Sequence, residues 1–160
     1  MFCKRMIVLF SILLCYGITA FAATNGSPIP TVVQGSSIKW NTNFNAAVSQ
    51  AKQANKYILL FFTGSDWCGW CKKLDNEVFS TSEFANTVGN QFVFVELDFP
   101  MGQKPSSEVE KQNADLKKKF GVTGFPTVVI LDSAQNFVAE TGYRSGGGKA
   151  YADYLLGLLK

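Results

Sequence analysis

The sequence predicts an α/β domain in which a central mixed β-sheet is flanked by helices, and three observations predict it. Short apolar runs rich in strand formers alternate with segments whose apolar residues recur at three- and four-residue spacing. Near the C-terminus two such runs, Thr127 to Leu131 and Phe137 to Glu140, are separated only by Asp132-Ser133-Ala134-Gln135-Asn136, which reads as a hairpin turn. Finally, 160 residues, 47% hydrophobic and 17% charged, suit one domain with a core of its own and argue against wholesale disorder.

The elements follow in the order β-α-β-α-β-α-β-β-α. Ser36 to Trp40 reads as a short first strand. Asn43 to Asn55 carries Phe44, Ala47, Val48 and Ala51 on one helical face, with Asn41, Thr42 or Asn43 as its N-cap. Tyr57 to Phe62 is apolar throughout, as a central strand covered on both faces would be. From Cys68 onward a helix is expected, with Leu74, Val78 and Phe79 on one face, followed by a short helical piece over Ser82 to Val88. Phe92 to Leu97 is the next strand. Ser107 to Phe120 is a polar helix with a stripe of Val109, Ala114, Leu116 and Phe120, and Lys117-Lys118-Lys119 at its end complement the helix dipole. Gly146-Gly147-Gly148 reads as a hinge before a last helix over Lys149 to Leu159. It lacks the Lys-Ser/Thr of a phosphate-binding loop.

The first residues read as an address. Lys4 and Arg5 precede an apolar stretch from Met6 to Ile18, and Ala20-Phe21-Ala22 places small residues where a signal peptidase inspects them. Residues 1–22 are therefore expected to be a signal peptide, 23–37 a flexible leader with Pro28 and Pro30, and 38–160 the folded domain. An uncleaved anchor facing the periplasm is the alternative, but spans usually need about 18 apolar residues and Ser11, Tyr16, Gly17 and Thr19 dilute this run. A lipid-attachment site at Cys15 conflicts with Leu14 before it. Removing Lys4 and Arg5 takes the 15 basic residues to thirteen against 12 acidic ones, which argues against a nucleic-acid partner. The absence of His excludes every mechanism that needs one from this chain.

With Cys3 and Cys15 gone, only Cys68 and Cys71 remain of the 4 cysteines. A bridge closing so short a loop restrains little chain and makes a poor structural staple, even in an oxidising compartment. In Trp67-Cys68-Gly69-Trp70-Cys71 the two cysteines lie about one helical turn apart, and Cys68 opens the helix. Free N–H groups there favour a thiolate, the nucleophile of disulfide exchange, over the ordinary thiol with its pKa of about 8.5. Three other readings compete. A zinc site needs four ligands, and the mature chain offers two cysteines and no His. Haem attachment requires His after the second cysteine, where Lys72 stands. An inert bridge is the third.

The strand Tyr-Ile-Leu-Leu-Phe-Phe, the Trp-Cys-Gly-Trp-Cys after it and the distant Gly121-Val122-Thr123-Gly124-Phe125-Pro126-Thr127 together resemble the thioredoxin superfamily, in particular the exported thioredoxin-like reductases of the DsbH type. The resemblance covers roughly residues 38–160 and implies a thioredoxin-like fold. It implies that Cys68 is the exposed attacking cysteine and Cys71 the buried resolving one. It also implies that Pro126 is a cis-proline facing the pair, and that Trp67, Gly69, Trp70, Phe125 and Pro126 contact substrate. No metal or other cofactor is expected beyond the Cys68–Cys71 disulfide. The expected partners are proteins with disulfides and a membrane electron donor of the DsbD type, and the chain is expected to be a monomer because no dimerising domain of the isomerase kind is visible. Two departures stand out. Gly-Trp replaces the commonest Gly-Pro between the cysteines, and Phe61 and Phe62 occupy the strand region where an acid is often buried. Glu96 is the candidate replacement carboxyl for proton transfer near Cys71, against the alternative that it faces outward. A disulfide oxidase or isomerase, and a non-catalytic chaperone or binding module, remain as other functions.

Overall fold

The computed structural model describes residues 37–159. The expected signal peptide, and the leader up to Ser36, lie outside the described residues. The elements are β1 (Trp40–Asn41), α1 (Phe44–Ala54), β2 (Tyr57–Thr63), α2 (Gly69–Leu74), a π-helical turn (Asp75–Phe79), α3 (Ser82–Val88), β3 (Phe92–Asp98), α4 (Ser107–Lys119), β4 (Thr127–Leu131), β5 (Phe137–Thr141) and α5 (Gly147–Gly157).

The five strands form one mixed sheet in the order β1-β3-β2-β4-β5. β1, β3 and β2 run parallel, while β4 and β5 are antiparallel to their neighbours. The apolar run of β2 has its explanation here: the strand is central and its side chains alternate between two cores. Leu59 and Phe61 point to one face, where the α2 and π-turn residues, α3 and α5 pack through Cys71, Leu74, Val78, Phe84, Tyr151 and Leu155. Ile58, Leu60 and Phe62 point to the other, where α1 and α4 pack through Phe44, Ala47, Ala51 and Leu116. Each fully buried Val, Leu, Ile or Phe among them contributes about 1.5–3 kcal/mol.

Asn43 is the cap that opens α1. Its side chain accepts the Ala46 N–H at 2.9 Å, and Asn55 closes the helix in the left-handed conformation with φ 50°. The remaining elements depart from the sequence expectation in four places. β1 is two residues long rather than Ser36 to Trp40, because pairing with β3 is confined to Trp40 and Asn41 before the chain turns into α1. In α4 the buried stripe is Asn113 and Leu116, while Ala114 is exposed. The Asn113 amide is drawn in because it donates to the Asp98 carbonyl at 3.0 Å and accepts from Gln112 at 3.1 Å. The helix after Cys68 is not continuous α: the Ser80 N–H reaches the Asp75 carbonyl at 2.8 Å, five residues back, as a π turn does. Lastly, α5 begins at Gly147 rather than Lys149. Gly146 and Gly147 have φ of 120° and 77°, the region glycine tolerates best. Gly148 lies so close to α3 that a Cβ there would collide with Thr81 Oγ1 and sit 3.1 Å from the Phe84 nitrogen. Gly148 is thus a close-packing position, and the two glycines before it supply the backbone turn into α5.

Candidate active site

The site forms where the loop leaving β2 meets the loop entering β4. In the antiparallel pairing Phe62 lies opposite Thr127, so the end of one strand and the start of the other share one edge of the sheet. Cys68 and Cys71 are joined as a disulfide, with their Cα atoms 5.2 Å apart. Cys68 is the N-cap of α2, and its sulfur accepts the Cys71 N–H at 3.2 Å. Both sulfurs belong to residues packed in the core. Cys68 keeps 6% of its surface and Cys71 1%, so Cys68 is the more accessible of the two without being the exposed residue the sequence led one to expect. The reason is packing: both belong to the cluster formed by the π turn, α3 and α5, with Phe125 against its rim.

Aromatic side chains border the pair on two sides. The Trp67 indole lies over Gly64, where no Cβ could fit, and its N–H donates to the Phe99 carbonyl at 2.8 Å. Its ring meets Phe125 edge-on with centroids 5.7 Å apart. Phe125 precedes Pro126 across a cis peptide bond, and the turn is tied by Thr127 Oγ1 donating to the Gly124 carbonyl at 2.9 Å. On the other side Trp70, 58% exposed, tilts against Tyr143 at 5.2 Å. The Lys73 ammonium sits 5.1 Å from both of these rings, and the Tyr143 hydroxyl donates to Glu77 at 2.6 Å. Gly69 is exposed at the start of α2, with open space around it. Lys117 reaches back from α4 to stand 5.6 Å over the Phe125 ring.

The loop between β2 and α2 is pinned from below. Ser65 donates to Asp98 through its backbone N–H at 2.8 Å and its hydroxyl at 2.6 Å. Asp66 accepts the N–H groups of Gly102 at 2.7 Å and Met101 at 3.1 Å, which hold its pKa below the ordinary value. The Lys72 ammonium donates to the Asp66 carbonyl at 2.8 Å.

Behind the disulfide lies a small pocket of about 70 Å³ lined by Phe61, Thr63, Ser65, Cys71, Lys72, Asp75 and Glu96. Glu96 is half-buried in β3 and faces this pocket with Cys71. Burial raises its pKa, and the charges of Asp98 and Asp75 raise it further. Asp75 was not singled out in the sequence. Its own pKa is raised by burial, offset in part by a hydrogen bond from Ser80. The available signal was its spacing: four residues after Cys71, it lies on the helix face that carries Cys71, Leu74 and Val78. Among the described residues no three His, Cys, Asp or Glu side chains gather as metal ligands. No helix among them is long and apolar enough to cross a membrane.

Comparison with known proteins adds three findings. A family model for a thioredoxin-like domain matches residues 44–151. Disulfide bond reductase DsbH of Chlamydia pneumoniae is 37% identical over 128 residues, which cover 80% of this chain and 76% of that protein. The solved structure of a DsbH oxidoreductase superimposes with a TM-score of 0.76 at 33% identity, covering 88% of this chain and 94% of that one.

Proposed function

We propose that this chain, which belongs to the thioredoxin superfamily as a DsbH-type thiol–disulfide oxidoreductase, is an exported reductase of protein disulfides. The observation that carries the reading is the Cys68–Cys71 bridge at the first turn of α2, bordered by Trp67 and Phe125 on one side and Trp70 and Tyr143 on the other. A dithiol at the rim of an aromatic surface suits exchange with the bridges of other proteins. Such a surface gives an extended partner chain apolar area to cover, and the backbone around Phe125 and Pro126 gives it a place to pair.

In the reduced protein Cys68 is the sulfur with the larger opening to solvent, and the Cys71 N–H and the neighbouring helix N–H groups favour its thiolate. That thiolate attacks one sulfur of a substrate disulfide, displaces the other as a thiolate and forms a mixed disulfide. Cys71, once deprotonated, attacks the Cys68 sulfur. The Cys68–Cys71 bond forms, the bond to substrate breaks, and the substrate leaves with two electrons and both sulfurs as thiols. Glu96 supplies the carboxyl that receives the Cys71 proton. The oxidised pair then needs a donor, and a membrane protein of the DsbD type fits the family and the export signature of residues 1–22. The chain works as a monomer and needs no metal or organic cofactor, since the two sulfurs carry both electrons.

The direction of exchange is decided by the reduction potential of the pair against its compartment. Equilibration of the Cys68–Cys71 pair in dithiothreitol or glutathione buffer should give a reducing value. A strongly oxidising one would overturn the reductase assignment in favour of an oxidase or isomerase. In an insulin-precipitation assay Cys68→Ser should be inactive, and full activity in that variant would refute the mechanism.

A further inference from the structure

The two aromatic walls of the site each hold a lysine. Lys73 leaves the exposed face of α2 and places its ammonium 5.1 Å from both the Trp70 and the Tyr143 ring. Lys117, half-buried in the last turn of α4, stands 5.6 Å from the Phe125 ring on the opposite wall. An aromatic face attracts an ammonium through its quadrupole and brings no net negative charge of its own. A lysine held in this way is fixed in place and keeps its positive charge, which an ion pair would offset.

The nearby acids do little to cancel these charges. Glu77 is paired with Lys73 at 3.9 Å, and its other oxygen already accepts the Tyr143 hydroxyl at 2.6 Å. Both members of that pair are exposed, so the attraction is weak and screened by solvent. Among the described residues Lys117 makes no ion pair. Asp66 turns its carboxylate to the N–H groups of Met101 and Gly102. Beyond Phe125 the wall continues through Phe99, whose ring packs on it at 5.2 Å, into an apolar cleft of about 510 Å³ that Val122, Lys117 and Lys118 also line. The surface is thus apolar across the disulfide and positive on either side of it.

We propose that this surface selects protein segments with acidic residues on both sides of the disulfide-bonded cysteine, read by Lys73 on one wall and by Lys117 on the other. The inference rests on the exchange chemistry proposed above and adds the charge of the substrates. Cys68 lies between the walls. A chain that crosses the site to present a sulfur to Cys68 therefore passes one lysine before that sulfur and the other after it. The rings offer apolar area to any such chain, and the two ammonium groups decide among chains that cover it equally well. Opposite charge also speeds encounter, whereas a basic segment meets repulsion on both sides.

Two peptides suffice for a test. They differ only in the residues flanking a single cysteine, Asp on both sides in one and Lys in the other. Each carries the same coloured aromatic thiol in disulfide linkage on that cysteine. When the Cys68 thiolate of the reduced protein attacks the peptide sulfur, the mixed disulfide forms, the old bond breaks and the aromatic thiolate leaves. Release of colour then gives a second-order rate constant. At low salt the acidic peptide should react about tenfold faster than the basic one, and the ratio should fall toward one in about 0.5 M salt. Lys73→Glu and Lys117→Glu should each lower the ratio, and the double variant should invert it. Peptides with Asp on one side only should sort the variants, Lys73→Glu slowing one of them and Lys117→Glu the other. Each ratio compares two peptides on one protein, so a change in folding or in cysteine reactivity cancels. Lys52→Glu changes the net charge equally, but lies in the last turn of α1, at the end of β2 away from the site, and should leave the ratio unaltered. A ratio near one with both peptides reacting would overturn the charge preference and leave the exchange chemistry standing. A Lys52→Glu effect as large as that of Lys117→Glu would also overturn it. No colour from either peptide would strike the reductase reading itself.

Discussion

Glu96 carries a carboxyl whose ionisation the fold resists. Burial is the larger cause, and the charges of Asp98 and Asp75 add to it. Its pKa is therefore higher in the folded chain than in the unfolded one, where about 4.3 is expected. For an acid raised in this way, the stability it allows is fully present below the unfolded pKa and is lost as pH climbs through the folded one. Glu96→Gln removes that loss. Its melting temperature should exceed that of the unsubstituted protein at about pH 7, and the two should converge near pH 4, as calorimetry at the two pH values would check. Trp70 presents the opposite case. At 58% exposure its removal costs the fold little, so Trp70→Ala should change stability by no more than about 0.5 kcal/mol. It should nonetheless raise the KM for a protein disulfide about tenfold, equivalent to ~1.4 kcal/mol, if the ring is an anchor for the partner chain. Steady-state kinetics separate KM from kcat. At this scale the placement of the cysteines was legible from their spacing, and that of Trp67 and Phe125 only through the motifs that carry the family resemblance. Asp75 was passed over because that face was read from its apolar residues alone, although the spacing from Cys71 puts the carboxyl on it, and Asn113 was passed over for Ala114 because a periodicity of apolar residues is blind to an amide that finds a carbonyl.

Elements were easiest to read where a single period governs them. β2, β3 and β4 are within a residue of their expected ends because interior strands are dominated by buried apolar strand formers, with Glu96 and Asp98 of β3 as the charged exceptions. Irregular pieces were harder. The π turn over Asp75–Phe79 widens the helix just beyond Cys71 and has no sequence period of its own. The start of α5 was missed because three consecutive glycines look like a flexible loop, whereas here Gly146 and Gly147 take positive φ and Gly148 lets α5 press against α3. Gly148→Ala tests that reading. Its methyl group would meet Thr81 and the Phe84 backbone, and overpacking of this kind costs about 1–3 kcal/mol. A urea titration should show the midpoint falling with the slope unchanged.

For the molecule as a whole, the mixed sheet flanked by helices followed from element order and the C-terminal hairpin, but the strand order β1-β3-β2-β4-β5 did not. Sequence periodicity says which segments are strands and is silent on which strands pair. The topology is what brings Phe125 beside Trp67, joining residues far apart in the chain into one surface. The two sulfurs differ across that surface, with Cys71 almost wholly enclosed. Cys71→Ser should therefore leave Cys68 able to attack and unable to let go. Covalent adducts with substrate proteins should accumulate and appear as higher-mass bands on non-reducing gels, vanishing when reductant is added. Absence of such bands would mean that Cys68 is not the entry point.

The placement of Trp67 has one more consequence. Its indole is fixed by Gly64, Phe99 and Phe125 and is the immediate chain neighbour of a sulfur–sulfur bond, which accepts an electron from an excited indole. The oxidised molecule should accordingly emit dimly and the reduced one brightly, so that its redox state can be watched by its own light.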